Sequence, residues 1–346
     1  MKGRELVNLG MKQGPAVKAA MTACDRAYAA GWKRNEVRQA IKRVLGEPAE
    51  HVGDPIFGDV ASALVNRPTP LQLREGLGYA VWGEEIEPQA HEQMRNACRL
   101  PVAVAAALMP DAHVGYGLPI GGVLATDNAV IPYAVGVDIA CRVMLTVFDI
   151  PAARLESMSG TFADILQSHT RFGMGGEWEG KSGPWHEVMD DDWSVTPVTA
   201  PLKDKAWRQL GTSGSGNHFV EFGEVTFGAN DLGVPPGVYL ALLSHSGSRG
   251  PGAKVAKHYS DLAMAKHPGL PRELRHLAWL PMDEEGAEYW EAMELMGRFA
   301  SANHHVIHDR IAGEVGGATL LQVENHHNFA WRETHDGREV IVHRKG

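Results

Sequence analysis

Asp138 and Cys141 stand three residues apart in Asp138-Ile-Ala-Cys141, a carboxylate and a thiol at one turn of chain. Both are donors for divalent transition metals, but two ligands make half a site, so partners must come from elsewhere. Three later His-bearing loops offer them: Gly214-Ser-Gly-Asn-His218-Phe, Ser244-His245-Ser-Gly-Ser-Arg-Gly250 and Asn325-His-His327-Asn-Phe329. Five donors exceed what one tetrahedral ion with an open substrate position requires. The set Asp138, Cys141, His218, His245 and His327 therefore points to two ions, with the thiolate able to bridge them. Paired cations clamp phosphate oxygens in displacement reactions. On donor chemistry alone, cysteine with histidine suits zinc well.

Other residues carry a second choice of chemistry. The glycine-rich loops expose backbone N–H groups that attract anions, yet neither 212–216 nor 246–250 has the Gly-x-x-x-x-Gly-Lys-Ser/Thr spacing, which excludes an ordinary P-loop NTPase. Arg249, Arg344 and Lys345 could grip a phosphate backbone, since Arg offers a planar fork and Lys a point charge; the competing reading is solvated charge. His304 and His308, spaced i and i+4, have metal-capable spacing but read as a polar stripe on a helix. His113 receives at most a supporting role.

The elements that must position these residues follow from periodicity. Val17, Met21, Cys24 and Tyr28 predict a helix from Pro15 ending at Gly31, and a second helix starts with Asn35 as N-cap and ends at Gly46. Residues 47 to 87 read as a connector with one short helix near 71–78. A helix over 88–98 precedes buried strands at 102–109, 122–126 and 143–148. A helix ends near Thr170, and 177–205 reads as a long surface insertion able to cover a site. Strands at 219–222 and 238–243 flank His loops, and a helix spans 251–267. The strongest helical period, Tyr289, Met293, Met296, Ala300, Ile307 and Ile311, predicts a helix over 284–313. Strands at 319–323 and 338–342 close the chain, with Asp336-Gly337 as a hairpin turn. Without regular βαβ alternation, the class is mixed α+β.

The bulk composition limits the partners. The chain has 346 residues, 44% hydrophobic, with 39 glycines that suit many tight loops. Its formal net charge of -9 does not advertise nucleic-acid binding, so a polyanion would need a local basic groove or bound cations. Three separated cysteines make no disulfide framework, and no signal peptide or 18-residue apolar run is present. A cytoplasmic protein without membrane partner is expected.

Taken in order, the four motifs from about Pro88 to Gly346 resemble the RtcB family of RNA-splicing ligases. The resemblance implies an α+β fold of mixed sheets and helices around a central metal cleft, formed by a domain over 88–346 behind a helical appendage and connector at 1–87. It implies manganese rather than zinc, one ion on Asp138, Cys141 and His218 and the other on Cys141, His245 and His327, with His326 left to packing. It implies GTP contacts from Asn217, Phe219, Glu221 and Asn328. The implied substrate is RNA with a 2′,3′-cyclic phosphate or 3′-phosphate end and a 5′-hydroxyl end, and an archease-type activator is an implied partner.

Two departures stand against the family pattern. The family's guanylylated histidine lies in a Ser-His-Gly-x-Gly-Arg motif that this sequence lacks, so no catalytic nucleophile is identified: a truncated or split form of a longer ligase is expected, and a chain that has lost guanylylation is the alternative. Ala140 and Arg142 replace glycines on either side of the cysteine, the mark of a divergent subgroup. The rival functions are a metal-dependent phosphodiesterase acting on RNA ends and a non-catalytic protein that binds metal, GTP or RNA ends. For the appendage, packing or oligomer contact competes with RNA contact through Lys33, Arg34, Arg38, Lys42 and Arg43.

Overall fold

Small side chains decide the packing of the first helices. In the computed structural model, which describes residues 1–11, 15–65, 71–179 and 182–346, α2 (Pro15–Ala29) buries Ala20, Ala23, Cys24 and Ala27 while Met21 is exposed. The buried stripe is thus rotated from the predicted one, because alanines admit closer helix approach than Met. With α1 (Gly3–Asn8), α3 (Arg34–Gly46) and α4 (Gly58–Val65), α2 forms a helical unit over Met1–Gln72 with Pro268–Leu270. Its core includes Leu6, Val37, Ile41, Val44, Phe57 and Val60. α3 starts before the predicted Asn35 cap: Glu36 reaches back to accept the Lys33 N–H at 2.6 Å, which makes Lys33 the N-cap.

The second unit, Leu73–His267 with Pro271–Gly346, contains the sheets. No helix forms at 71–78, because Arg74 and Leu77 donate their N–H groups to Arg99 O and Cys98 O at the end of α5 (Pro88–Cys98), whose last carbonyls lack intrahelical partners. Part of the predicted connector, 66–70, lies outside the described residues. Strands β1 (Ala80–Val81), β2 (Ala103–His113) and β3 (Ile120–Thr126) belong to a five-stranded sheet. A short pair joins β4 (Ala129–Val130), which precedes α6 (Pro132–Val135), to β8 (Leu280–Pro281). β5 (Arg142–Pro151), β6 (Phe219–Phe227), β7 (Gly237–Ser246) and β9 (Thr319–His326) make a four-stranded antiparallel sheet in the order β6-β7-β5-β9. The five-stranded sheet is completed by β10 (Asn328–His335) and β11 (Arg338–Lys345), in the order β1-β2-β3-β11-β10.

The Asp336-Gly337 turn is present, with φ of 52° and 77° at its two residues. It joins β10 to β11, however, and the 319–326 strand belongs to the other sheet. The chain changes sheet at the single residue His327.

Helices α7 (Arg154–Ser157), α8 (Ser159–His169), α9 (Lys203–Gln209), α10 (Arg249–Lys266) and α11 (Glu285–Val315) complete the unit. At 31 residues α11 is about 46 Å long, and all six residues of its predicted stripe are buried. Ile307 and Ile311 join Phe148, Phe162, Val220, Leu240 and Leu242 beneath the four-stranded sheet. Residues 177–205, apart from 180–181 outside the described set, are not a loose covering. Trp178 is buried in irregular chain, Val188, Met189, Trp193 and Leu202 are buried in short 3-10 turns, and Trp193 meets Phe299 of α11 edge-on at 5.7 Å. The mixed α+β class is as the sequence implied, and among the described residues no helix is long and apolar enough to cross a membrane.

Candidate metal centre

Antiparallel pairing collects the His loops at one end of one sheet. β5 and β6 begin where β7 and β9 end, and the registers Phe219↔His245, Val143↔His245 and Val143↔Asn325 align those termini. His218 lies just before β6, Cys141 just before β5, His245 in the last turn of pleat of β7, and His327 just after β9. The His327 N–H donates to Cys141 O at 3.0 Å, which carries the ladder past the strand ends.

Asp138 arrives from the turn after α6. Ala140 between it and Cys141 holds φ at 56°, the left-handed region, and donates its N–H to Asn328 O at 2.7 Å. That φ suits glycine and costs a residue with a Cβ about 1–2 kcal/mol. Arg142 follows as a buried side chain, bonded to Glu324 at 2.9 Å and to Gly297 O at 3.4 Å.

The five donors converge in two triplets, Asp138/Cys141/His218 and Cys141/His245/His327, whose ligand atoms lie within 4.8 Å of one another and share the Cys141 sulfur. Cys141 Sγ is 3.1 Å from His245 Nε2 and 3.5 Å from His218 Nε2, and His245 Nε2 is 3.3 Å from His327 Nε2. His245 Nδ1 faces Asn217 O at 2.9 Å, so Nδ1 carries the proton and the Nε2 lone pair points into the cluster. Asp138 Oδ2 sits 2.9 Å from His218 Nε2 yet is buried without an aligned hydrogen bond. Lone pairs thus face one another with too few protons between them, and a divalent cation is the group that fits.

Electrostatics agree with that fit. Burial pushes the Cys141 thiol up and the nearby Asp138 charge adds to it. A cation reverses this, since a coordinating thiol is deprotonated. Burial pushes His327 down to about 4, with His245 contributing, and lowers His245 as well. Burial raises Asp138, but its neighbours His218, Cys141 and Arg249 together outweigh it and leave the carboxyl below its ordinary value. Neutral imidazoles and an ionised carboxylate are the forms a metal binds.

The surrounding loops hold these groups in place. Ser248 donates its N–H to Asp138 Oδ1 at 3.1 Å, and a Cβ on Gly247 would collide with that carboxylate. Arg249, itself at φ 54°, bonds Thr212 Oγ1 through Nε at 3.0 Å and lays its guanidinium over Gly214.

The other sequence candidates fall in different places. Phe219 meets the His245 ring edge-on at 5.8 Å, and the Asn328 amide lies 3.3 Å from Asp138 O. Glu221 is exposed on the edge strand. Lys345 is buried and donates to Tyr116 O at 2.6 Å and Tyr133 O at 3.2 Å; desolvation pushes it down to about 8. Arg344 pairs with Glu333 and covers Trp331, on the opposite side of β11 from Lys345. His326 packs between Phe329 and Trp331, and the exposed His113 bonds, among the described residues, only Asp111 O. His304 and His308 are not a solvated stripe: both are fully buried, and Ser244 Oγ lies 2.8 Å from each.

One contributor was not found from sequence. Asn303 of α11 accepts the N–H groups of Gly211 (2.8 Å) and Thr212 (3.1 Å) and donates to Thr212 O (3.1 Å), Ser246 Oγ (3.3 Å) and Gly247 O (3.4 Å). It fastens two His loops together. Its signal was an amide inside an apolar helical stripe.

Comparison with known proteins agrees with the motifs. The family described as tRNA-splicing ligase RtcB matches residues 93–346. An RNA-splicing ligase RtcB of Escherichia coli K12 is 29% identical over 309 residues, covering 80% of this chain and 72% of that protein. An RNA-splicing ligase RtcB homolog of Entamoeba dispar is 30% identical over 315 residues, covering 75% of this chain and 58% of the relative. A Mycobacterium tuberculosis RNA-splicing ligase RtcB is 31% identical over 307 residues, with 73% and 70% covered. With the family matched over most of its length, and the motif residues gathered at one sheet end, the chain belongs to the RtcB family of RNA-splicing ligases.

Proposed function

We propose that this chain is a GTP- and manganese-dependent RNA ligase. It joins a 2′,3′-cyclic phosphate or 3′-phosphate end to a 5′-hydroxyl end through a 3′-guanylylated RNA. The observation that carries the reading is the convergence of five donor side chains in two triplets around one shared sulfur, in a family of RNA ligases.

In this reading Asp138, Cys141 and His218 hold one ion, and Cys141, His245 and His327 the other. Bound there, two divalent ions supply Lewis-acid polarisation of phosphate oxygens at both ends of an in-line displacement. Asn217 keeps His245 in the tautomer that presents Nε2. Ser248 fixes the rotamer of Asp138. Arg249, held by Thr212, offers its remaining N–H groups to a phosphate over the 212–216 loop. Asn217, Phe219, Glu221 and Asn328 are the residues proposed for GTP, and Arg249 is the one proposed for RNA or triphosphate, since Lys345 is engaged by Tyr116 O and Tyr133 O and Arg344 by Glu333.

The test is product analysis with a 2′,3′-cyclic-phosphate RNA, a 5′-hydroxyl RNA, manganese and α-labelled GTP. A joined strand that requires GTP supports the ligase. Ring opening without GTP replaces it with the phosphodiesterase, and binding without product replaces it with a non-catalytic RNA-end protein. An acid-labile GMP adduct, mapped by mass spectrometry, identifies the histidine that takes GMP.

A further inference from the structure

Positive charge is distributed unevenly along this acidic chain. Residues 73–346 carry 22 lysines and arginines against 35 aspartates and glutamates, a balance of thirteen negative charges; residues 1–72 carry 11 against 7, four positive. The basic part is the helical unit, outside the family match that begins at residue 93.

On α3 this charge lies on one face. Val37, Ala40, Ile41 and Val44 are buried. At 3.6 residues per turn the opposite side presents Asn35, Arg38, Gln39, Lys42 and Arg43, all exposed. Arg26 and Arg34 are paired with Asp59 and Glu5, whereas Arg38, Lys42 and Arg43 have no ion pair among the described residues. An open groove of about 580 Å³ runs beside them, lined in part by Trp32, Asn35, Gln39 and Arg43. Trp32 is half-buried and rests against Phe57, ring centroids 5.9 Å apart.

A cationic helix face alone is ordinarily just solvated. Here two further facts point to a ligand: the basic surplus stands in the one unit, within a chain of net charge -9, and an aromatic ring is among the groove's lining. Unpaired cations along a helix with an accessible aromatic are what a single strand needs, phosphate neutralisation plus a stacking surface, and neither reads sequence.

We propose that the N-terminal helical unit is a sequence-independent binding module for single-stranded RNA. Arg38, Lys42 and Arg43 contact backbone phosphates and Trp32 offers its ring to a base. The proposal rests on the reading of RNA as the substrate class, and the test separates the two.

Fluorescence anisotropy is measured on the full chain with a labelled 20-nucleotide RNA bearing hydroxyls at both ends, in EDTA and without GTP, so that ligation chemistry plays no part. Arg38→Gln/Lys42→Gln/Arg43→Gln is compared with a control triple, Lys257→Gln/Arg332→Gln/Arg338→Gln. The α3 triple should weaken binding at least tenfold at 100 mM salt. It should also lower the slope of log K against log salt by about 2, since each phosphate that a cation neutralises on a single strand adds roughly 0.7 to that slope. The control should change neither. Trp32→Leu should weaken binding at unchanged salt slope, with circular dichroism reporting the fold. Equal affinity in the α3 triple and wild type overturns the module while leaving the ligase untouched. So does a triple that alters only sedimentation, which would make this face a protein contact. A chain that ligates nothing yet shows the expected weakening keeps the module and discards the ligase.

Discussion

At the scale of single residues, Cys141 is the one donor common to both triplets. Cys141→Ala should therefore deplete both metal positions, while His327→Ala empties one and leaves Asp138, Cys141 and His218 intact. Metal per chain after desalting, read by inductively coupled plasma mass spectrometry, distinguishes these outcomes. Gly247→Ala should lower metal retention without unfolding the protein, because the nearest atoms its Cβ would meet all belong to the Asp138 carboxylate, the end of a side chain. Ala140→Gly should raise stability slightly. Relief of the left-handed φ, about 1–2 kcal/mol, exceeds the roughly 0.4–1 kcal/mol that glycine adds to unfolded-chain entropy; urea unfolding measures the difference. The five donors were legible because their types and loop contexts carry chemistry locally. Asn303 was not, since an amide's value depends on which loops reach it, and Gly211 and Gly247 are remote in sequence. Arg142 stood out only as an oddity until Glu324, 182 positions away, appeared beside it.

At the scale of elements, the polar contacts beneath the sheet concern histidines. On α11, His308 Nδ1 lies 2.7 Å from Thr146 Oγ1 of β5, and Ser244 of β7 bridges His308 to His304. On β11, His343 lies between Leu124 O (3.1 Å) and Ile131 N–H (2.9 Å), which requires a neutral ring protonated at Nδ1. Burial pushes His308 down to about 3 and His343 to about 4, and His304 well below its ordinary value. Their folded pKa values lie below the unfolded value of about 6.5, so the unfolded state binds protons first as pH falls. Stability is then whole above pH 6.5 and lost as pH falls from 6.5 to about 4 for His343 and to about 3 for His308, by about 1.4 kcal/mol per pH unit for each such histidine. Urea midpoints at pH 7.5, 6 and 5 in chelator should show this decline, and a flat profile would contradict neutral burial. Periodicity foretold α11 and most strands, since their apolar faces repeat locally. It failed at 71–78 and 177–205, where distant carbonyls and a distant helix decide the conformation.

At the scale of the molecule, the helical unit has a core of its own, drawn from residues between Leu6 and Leu64. Ile41→Ala, fully buried there, should cost about 3 kcal/mol and raise amide exchange in 1–65 while α11 keeps its protection, as hydrogen exchange with mass spectrometry can read. In the second unit, His327 is the only residue between a strand of one sheet and a strand of the other. A ligand captured at that position acts as a rivet at a joint, resisting slip of the sheets along their strands. Metal occupancy is thereby readable mechanically: chelation should loosen amides 326–328 and leave the far ends of both strands undisturbed.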